Sequence, residues 1–319
     1  MKVLISDKID KKGIETLKEH DFEVLNRPDI SREKLLELCK DVDAMIVRSG
    51  TNIDKELLDN TPNLKIIARA GVGYDNIDTG YAKSKGIVVE NTPQGNTNAA
   101  AEHTITLLMM LTKHIIHSNE DLKKGNWNRK NFKGREVKEK TLGIIGLGHV
   151  GRKVAKVANA LEMNVLGFDP FVEKKEMEKL NITKVDLEEL IKKSDFLTVH
   201  VPKNEKTINL ISKKEFEKMK DGVRILNVAR GGIINENDLA DAIKSGKVAA
   251  AGIDVWENEP PKNSELLNLK QVIATPHLGA STKEAQVNVA KDAANQVIAA
   301  LTKGKITNCV NDVKEVKQT

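Results

Sequence analysis

The sequence predicts an α/β protein of two doubly wound parallel-sheet domains, and three observations carry that expectation. Short β-rich runs alternate with helix-length amphipathic runs from residue 2 onward. The alternation lapses in an Ala- and Leu-rich stretch near residue 100 and restarts at Thr141. A glycine-rich strand, turn and helix phrase, "TLGIIGLGHVG", opens the second series and not the first. At 319 residues the chain is also longer than one hydrophobic core usually grows.

In the first series the strand candidates are "KVLIS", "FEVL", "AMIVRS", "LKIIARAG" and "GIVVE", with "KKGIETLKEH", "REKLLELCK" and "DKELLDN" as helices between them. Near-continuous apolar strands separated by amphipathic helices describe a parallel sheet covered on both faces. This unit ends near residue 97. The stretch "NTNAAAEHTITLLMMLTKHIIHSNEDLKKG" contains no proline and reads as a long helical region. The second series then offers "TLGIIG", "NVLGFDP", "DFLTVHVP", "RILNVA", "AAAGIDV" and "QVIATPH" as strands, which bounds a second unit at about 98–283. Last comes "STKEAQVNVAKDAANQVIAALTKGK", one long helix by its apolar spacing, capped at Ser281 or Thr282 and closed near Gly304.

The three glycines of the fingerprint are Gly146, Gly148 and Gly151. The first permits a tight turn, the second lets backbone approach a pyrophosphate, and the third lets the helix pack on the strand. The free N–H groups of the helix start meet phosphate oxygens. The next strand ends in Asp169, 18 residues after Gly151, close to where a carboxylate takes the ribose hydroxyls and repels the extra phosphate of NADP. A Rossmann-type domain binding NAD is the expectation.

Ligands of open α/β sheets gather beyond the carboxyl ends of the strands. Three charged residues stand there: Arg230 in "NVARGG", Glu259 in "GIDVWENEPP" and His277 in "TPHLGAST". Hydride transfer from a secondary alcohol needs a group of near-neutral pKa to take the hydroxyl proton, which suits His277. Glu259 is placed to orient it, and Arg230 to hold a substrate carboxylate. His114 and His117 share a helical face without a third ligand candidate, so no metal is expected; His103 reads as part of a packed helix.

Composition excludes other classes. A net charge of +5 is modest, lysines are interleaved with glutamates, and aromatic residues make up only 3%, which leaves little for stacking on nucleic acid. Met1 to Asp10 is too polar for a signal peptide and Ile105–Leu111 is far too short for a membrane span. Cys39 and Cys309 form no disulfide framework. A cytoplasmic protein with no membrane association is expected.

Taken together, "RAGVGYDNID", "NTPQGNTNAAAEH", "GLGHVG" with Asp169, "NVARGG", "GIDVWENEPP" and "TPHLGAST" resemble, in order and over essentially the full length, the D-isomer-specific 2-hydroxyacid dehydrogenases. The likeness is strongest to the branch that oxidises 3-phosphoglycerate to 3-phosphohydroxypyruvate, the entry step of serine synthesis. The resemblance implies a flavodoxin-like substrate domain formed by residues 1–97 and 284–319, into which the cofactor domain 98–283 is inserted. It implies that Arg230, Glu259 and His277 are the catalytic set. At cofactor positions it places Val72, the glycines Gly146, Gly148 and Gly151, His149, Val150, Asp169, Val201, Val228, Ala229, Asp254, and the stretch Leu278, Gly279 and Ala280. Asp254 falls at the carboxamide contact. Substrate groups are Gly71, Val72 and Gly73, whose backbone forms an anion nest, with Arg48 and Ser49 toward a phosphate, beside Arg230 and His277.

The same resemblance implies a homodimer through the cofactor domain, with Arg129 or Lys130 of "NWNRKNFKG" presented to the partner. Two departures stand out. His149 occupies a place where arginine is common, and the chain ends at Thr319 without the C-terminal serine-binding domain that many of these enzymes carry, so feedback through it is not expected. Glyoxylate or hydroxypyruvate reduction remains the alternative activity, and an NAD(H)-sensing binding protein the alternative class.

Overall fold

Every pairing between the strands of the computed structural model, which describes residues 1–317, is parallel. The chain divides into two compact units, one of Met1–Asn96 together with the segment that starts at Ala280, the other Thr97–Gly279. Gln318 and Thr319, the end of the tail expected to join the first unit, lie outside the described residues.

The first unit holds β1 (Lys2–Ile5), β2 (Glu23–Asn26), β3 (Ala44–Val47), β4 (Ile66–Arg69) and β5 (Val88–Asn91), in the order β2-β1-β3-β4-β5. That is the flavodoxin-like order, whose switch point falls between β1 and β3. Alternation along the strands buries both faces: Val3 and Ile5 meet one core with Ile46 and Ala68, while Leu4 meets the other with Met45 and Ile67. The helix Lys283–Lys303 covers the first of these faces through Val289, Ala293 and Val297. Of the two candidate caps, Thr282 accepts the N–H of Ala285, and Gly304 closes the helix in the left-handed region at φ 61°.

The second unit holds β6 (Thr141–Ile145), β7 (Asn164–Phe168), β8 (Thr183–Lys184), β9 (Phe196–Val199), β10 (Val223–Asn227), β11 (Val248–Ile253) and β12 (Val272–Ala274). Their order, β12-β11-β10-β9-β6-β7-β8, is the Rossmann arrangement with one extra edge strand, and the switch point lies between β6 and β9. The two-residue β8 has no hydrophobic run of its own, which is why the sequence does not announce it. The long helical region is two helices, Thr97–Lys113 and Ile115–Lys123, divided at His114, whose φ is 53°. Of the two thiols, Cys39 is buried and Cys309 half-buried.

Candidate active site

At the switch point of the second unit the fingerprint turn is built as its residues require. Gly146 has φ 91°, and a Cβ there would stand 2.6 Å from the carbonyl oxygen of His200 and 2.7 Å from Val201 Cγ1, so the turn packs against the end of β9. A Cβ on Gly151 would meet the carbonyl oxygen of Gly146 at 2.1 Å, whereas one on Gly148 would meet nothing within 4 Å. Space is therefore left over the middle glycine, where the helix His149–Ala160 begins with no side-chain cap and no acidic residue in its first turn. Asp169 follows β7 and accepts the N–H of Leu147 at 2.8 Å and that of Phe171 at 2.8 Å, which holds it beside the turn. An open glycine, uncapped N–H groups and an adjacent carboxylate fit a dinucleotide. His149 is exposed and Val150 half-buried at that helix start. Desolvation keeps the neighbouring His200 imidazole neutral, pulling its pKa down to about 4.

The loops after β10, β11 and β12 meet at the carboxyl edge of the same sheet. Gly231 makes this possible: a Cβ there would lie 1.9 Å from the carbonyl carbon and oxygen of Trp256, so only glycine lets the Arg230 turn close on the Trp256 segment. Asn227 braces that turn, donating to the carbonyl of Arg230 at 2.9 Å and accepting from the Ala229 N–H at 3.1 Å. Trp256 is buried and its indole N–H donates to the carbonyl of Thr275, which ties in the third loop. On this frame His277 Nδ1 sits 2.8 Å from Glu259 Oε2. Burial pushes the Glu259 carboxyl up, but the hydrogen bond and charge of His277, the Trp256 N–H and the Arg230 charge outweigh it and hold it below its ordinary range. An ionised Glu259 only accepts, so Nδ1 carries the proton and Nε2 is left for a reacting hydroxyl. Both side chains are exposed, and the three residues named from sequence come together.

Asp254 has a duty that its sequence position did not disclose. Its side chain is fully buried, and Oδ1 accepts from Thr275 Oγ1 at 2.6 Å and the Leu278 N–H at 2.7 Å, while Oδ2 accepts from the Gly279 N–H at 2.8 Å. Its carbonyl accepts the N–H of His277 at 2.8 Å. His277 sits at φ 55°, in the left-handed region, and these bonds on either side fix it there. A Cβ on Gly279 would stand 3.0 Å from Val228 Cγ1, so this loop rests directly on the end of β10.

In the first unit, the loop after β3 wraps the carboxylate of Asp7, which accepts the N–H groups of Arg48 at 2.5 Å and Thr51 at 3.2 Å. Arg48 therefore stands at that sheet's switch point. Its guanidinium is partly buried, reaches the carbonyl of Lys8 at 3.4 Å, and has its pKa lowered by that burial against the pull of Asp7. Ser49 is exposed beside it. Asn76 donates to the carbonyls of Arg48 at 2.7 Å and Thr51 at 2.5 Å, which joins this loop to the one after β4. There Gly71, at φ 144°, gives its N–H to Thr92 Oγ1 at 2.7 Å, and Asn91 holds the carbonyl of Val72 at 2.6 Å. Among the described residues the N–H groups of Val72 and Gly73 find no acceptor, which suits an anion. Ala280, the last of the expected cofactor positions, opens the returning segment and accepts from Gln286 at 2.8 Å.

Residues 105–279 match the model of the D-isomer specific 2-hydroxyacid dehydrogenase, NAD binding domain. The chain belongs to this family. Among curated proteins it is similar to the D-3-phosphoglycerate dehydrogenase of Archaeoglobus fulgidus, 47% identical over 312 residues, which are 98% of this chain and 59% of that one. The chain thus spans about three fifths of the length of such relatives. Among solved structures it is similar to a glyoxylate reductase from Paecilomyes thermophila, with TM-score 0.91 and 34% identity over 98% of this chain and 99% of that one. A D-lactate dehydrogenase from Aquifex aeolicus, solved with NAD and lactic acid, gives TM-score 0.86 and 28% identity over 98% and 99%.

In this member of the family the residue that the sequence did not bring forward is His103. It lies on the helix Thr97–Lys113, and its Nε2 stands 3.2 Å from Asp254 Oδ1 and 3.1 Å from Thr275 Oγ1. The hydroxyl of Thr275 is spent as a donor to Asp254, so Nε2 carries a hydrogen and donates to both oxygens. Burial alone pushes the Asp254 carboxyl up; the bonds from His103, Thr275 and Leu278 pull it below its ordinary range. The one available signal was the "EH" pair in a helix made mostly of Ala, Thr, Leu and Met. Asn76 and Asp7 were likewise passed over.

Proposed function

We propose that the chain oxidises 3-phosphoglycerate to 3-phosphohydroxypyruvate with NAD, as the first step of serine synthesis. The observation that carries this reading is the His277–Glu259 pair at 2.8 Å with the Arg230 charge acting on the same carboxylate. NAD, when bound, accepts the hydride. His277 Nε2 takes the hydroxyl proton, and Glu259 stabilises the imidazolium that forms. Arg230 holds the carboxylate and the developing carbonyl. Gly146, Gly148, His149, Val150 and Gly151 offer backbone to the pyrophosphate, Asp169 takes the ribose, and Val201, Val228 and Ala229 line the cofactor's path. Asp254 keeps Leu278 and Gly279 in place at the nicotinamide end.

The unspent amides of Val72 and Gly73, next to Gly71, take the substrate carboxylate. Arg48, with Ser49, takes the phosphate, a preference supported by the 47% identity to a phosphoglycerate dehydrogenase. A homodimer through the cofactor domain is supported by apolar side chains left exposed along one segment: Ile115 at 50%, Leu122 at 57% and Trp127 at 74%. Among the described residues no helix is long and apolar enough to cross a membrane. The free thiols Cys39 and Cys309 support a place in the reducing cytoplasm.

The test is NADH oxidation with phosphohydroxypyruvate, hydroxypyruvate and glyoxylate, compared by kcat/KM. The phosphorylated acid is expected to lead by about two orders of magnitude or more, and Arg48→Ala to erase most of that lead, since a charge-assisted bond is worth about 1.5–3 kcal/mol. Equal use of the three acids supports a general glyoxylate or hydroxypyruvate reductase. His277→Ala is expected to lower kcat by about 100- to 10,000-fold while NADH binding, followed by fluorescence, is retained. Unchanged turnover removes His277 from the mechanism.

A further inference from the structure

At the amino end of β10, the opposite end of that strand from Arg230, the second unit holds a charged cavity of about 80 Å³ that takes no part in the proposed reaction. Arg224 lines it and is only 8% exposed. Its guanidinium lies over the Phe196 ring, 5.7 Å from the centroid. Among the described residues its buried Nε has no hydrogen-bond partner, and its Nη1 donates to the carbonyl of Gly222 at 3.4 Å. Among the described residues no carboxylate pairs with it. The charged group that acts on it is Arg135, whose repulsion adds to burial in lowering its pKa.

The rest of the lining makes the imbalance plain. Lys220 is neutralised by Asp195 at 2.9 Å, and Asp221 by Lys247 at 2.9 Å. Lys140 also acts on Asp195, and Glu136 is the remaining carboxylate of the lining beside Arg135 and Arg224. Burying an arginine without a counter-charge is costly, and a flat guanidinium edge matches the oxygens of a tetrahedral anion. A cavity of this volume suits a small ion.

We infer that this cavity is a binding site for a small tetrahedral oxyanion, inorganic phosphate or sulfate, held by Arg224 with Arg135 and Lys140. Phosphate is the probe, titrated into the full chain at ionic strength held constant with chloride, and read by thermal unfolding and by calorimetry. Wild type is expected to show a saturable rise of several degrees in Tm, because a ligand of the native state stabilises it by mass action. Arg224→Met, which fills the same space without the charge, should fold and bind phosphate at least tenfold more weakly. Arg135→Gln should weaken binding several-fold. The titration is repeated in an Arg48→Ala background, which removes phosphate taken at the proposed substrate site, and the Arg224-dependent part of the response should persist there. The inference is overturned if wild type shows no saturable response, if Arg224→Met responds as wild type does, or if Arg48→Ala abolishes the response.

Discussion

Asp254 shows how one buried carboxylate can shape a site without meeting solvent. Its oxygens gather Thr275, Leu278, Gly279 and His103, and so set the backbone on both sides of His277. His103→Leu removes one of these donors and leaves the carboxylate under-satisfied. We expect stability to fall by about 1.5–3 kcal/mol and kcat by about tenfold or more, with His103→Gln recovering most of both because its amide still donates. Urea unfolding and steady-state kinetics on the two variants check this, and a leucine variant with kcat within twofold of wild type would remove His103 from the positioning network. Arg230, Glu259 and His277 could be picked out as candidates because each stands in a short motif beyond an apolar strand. His103 was not, because its partner is 151 residues away and nothing local marks it.

At the scale of elements, close approach does what side-chain chemistry cannot. Gly231→Ala would drive a methyl into the Trp256 carbonyl, parting the Arg230 turn from the segment that carries Glu259. The expected outcome is a loss of about 1–3 kcal/mol by thermal unfolding, with kcat falling more than KM rises. A variant with native Tm and kcat would show that the two loops tolerate separation. The same logic governs Gly13, whose Cβ would lie 2.7 Å from the carbonyl oxygen of Ala290 and so lets the helices Lys11–Lys18 and Lys283–Lys303 touch. Strands and most helices could be read from periodicity. The break at His114 could not, since no glycine or proline announces it.

For the molecule as a whole, the acid limb of stability is set by groups whose charge state the fold has fixed. His200 stays neutral down to about pH 4 when folded but takes a proton near 6.5 when unfolded. Between those values the unfolded chain binds the extra proton, so stability rises with pH across the window and falls as the solution is acidified. Asp254 and Glu259, both held below their ordinary range, add a further loss at lower pH, when they must be protonated. His200→Asn is expected to flatten the dependence of Tm on pH between about 4 and 6.5; an unchanged slope there would show that His200 titrates normally.

The sequence by itself determined the class of fold, the two series of strands, the glycine turn and the candidate residues at the strand ends, because hydrophobic period and turn chemistry are local properties of a chain. The order of the strands was decided only in the tertiary structure, since pairing joins segments far apart in sequence. That order puts Arg48 at one switch point and Gly146 at the other. Burial was decided there too. It made Asp254 a scaffold for the His277 loop, gave His103 a partner, and left Arg224 buried with, among the described residues, no carboxylate paired to it.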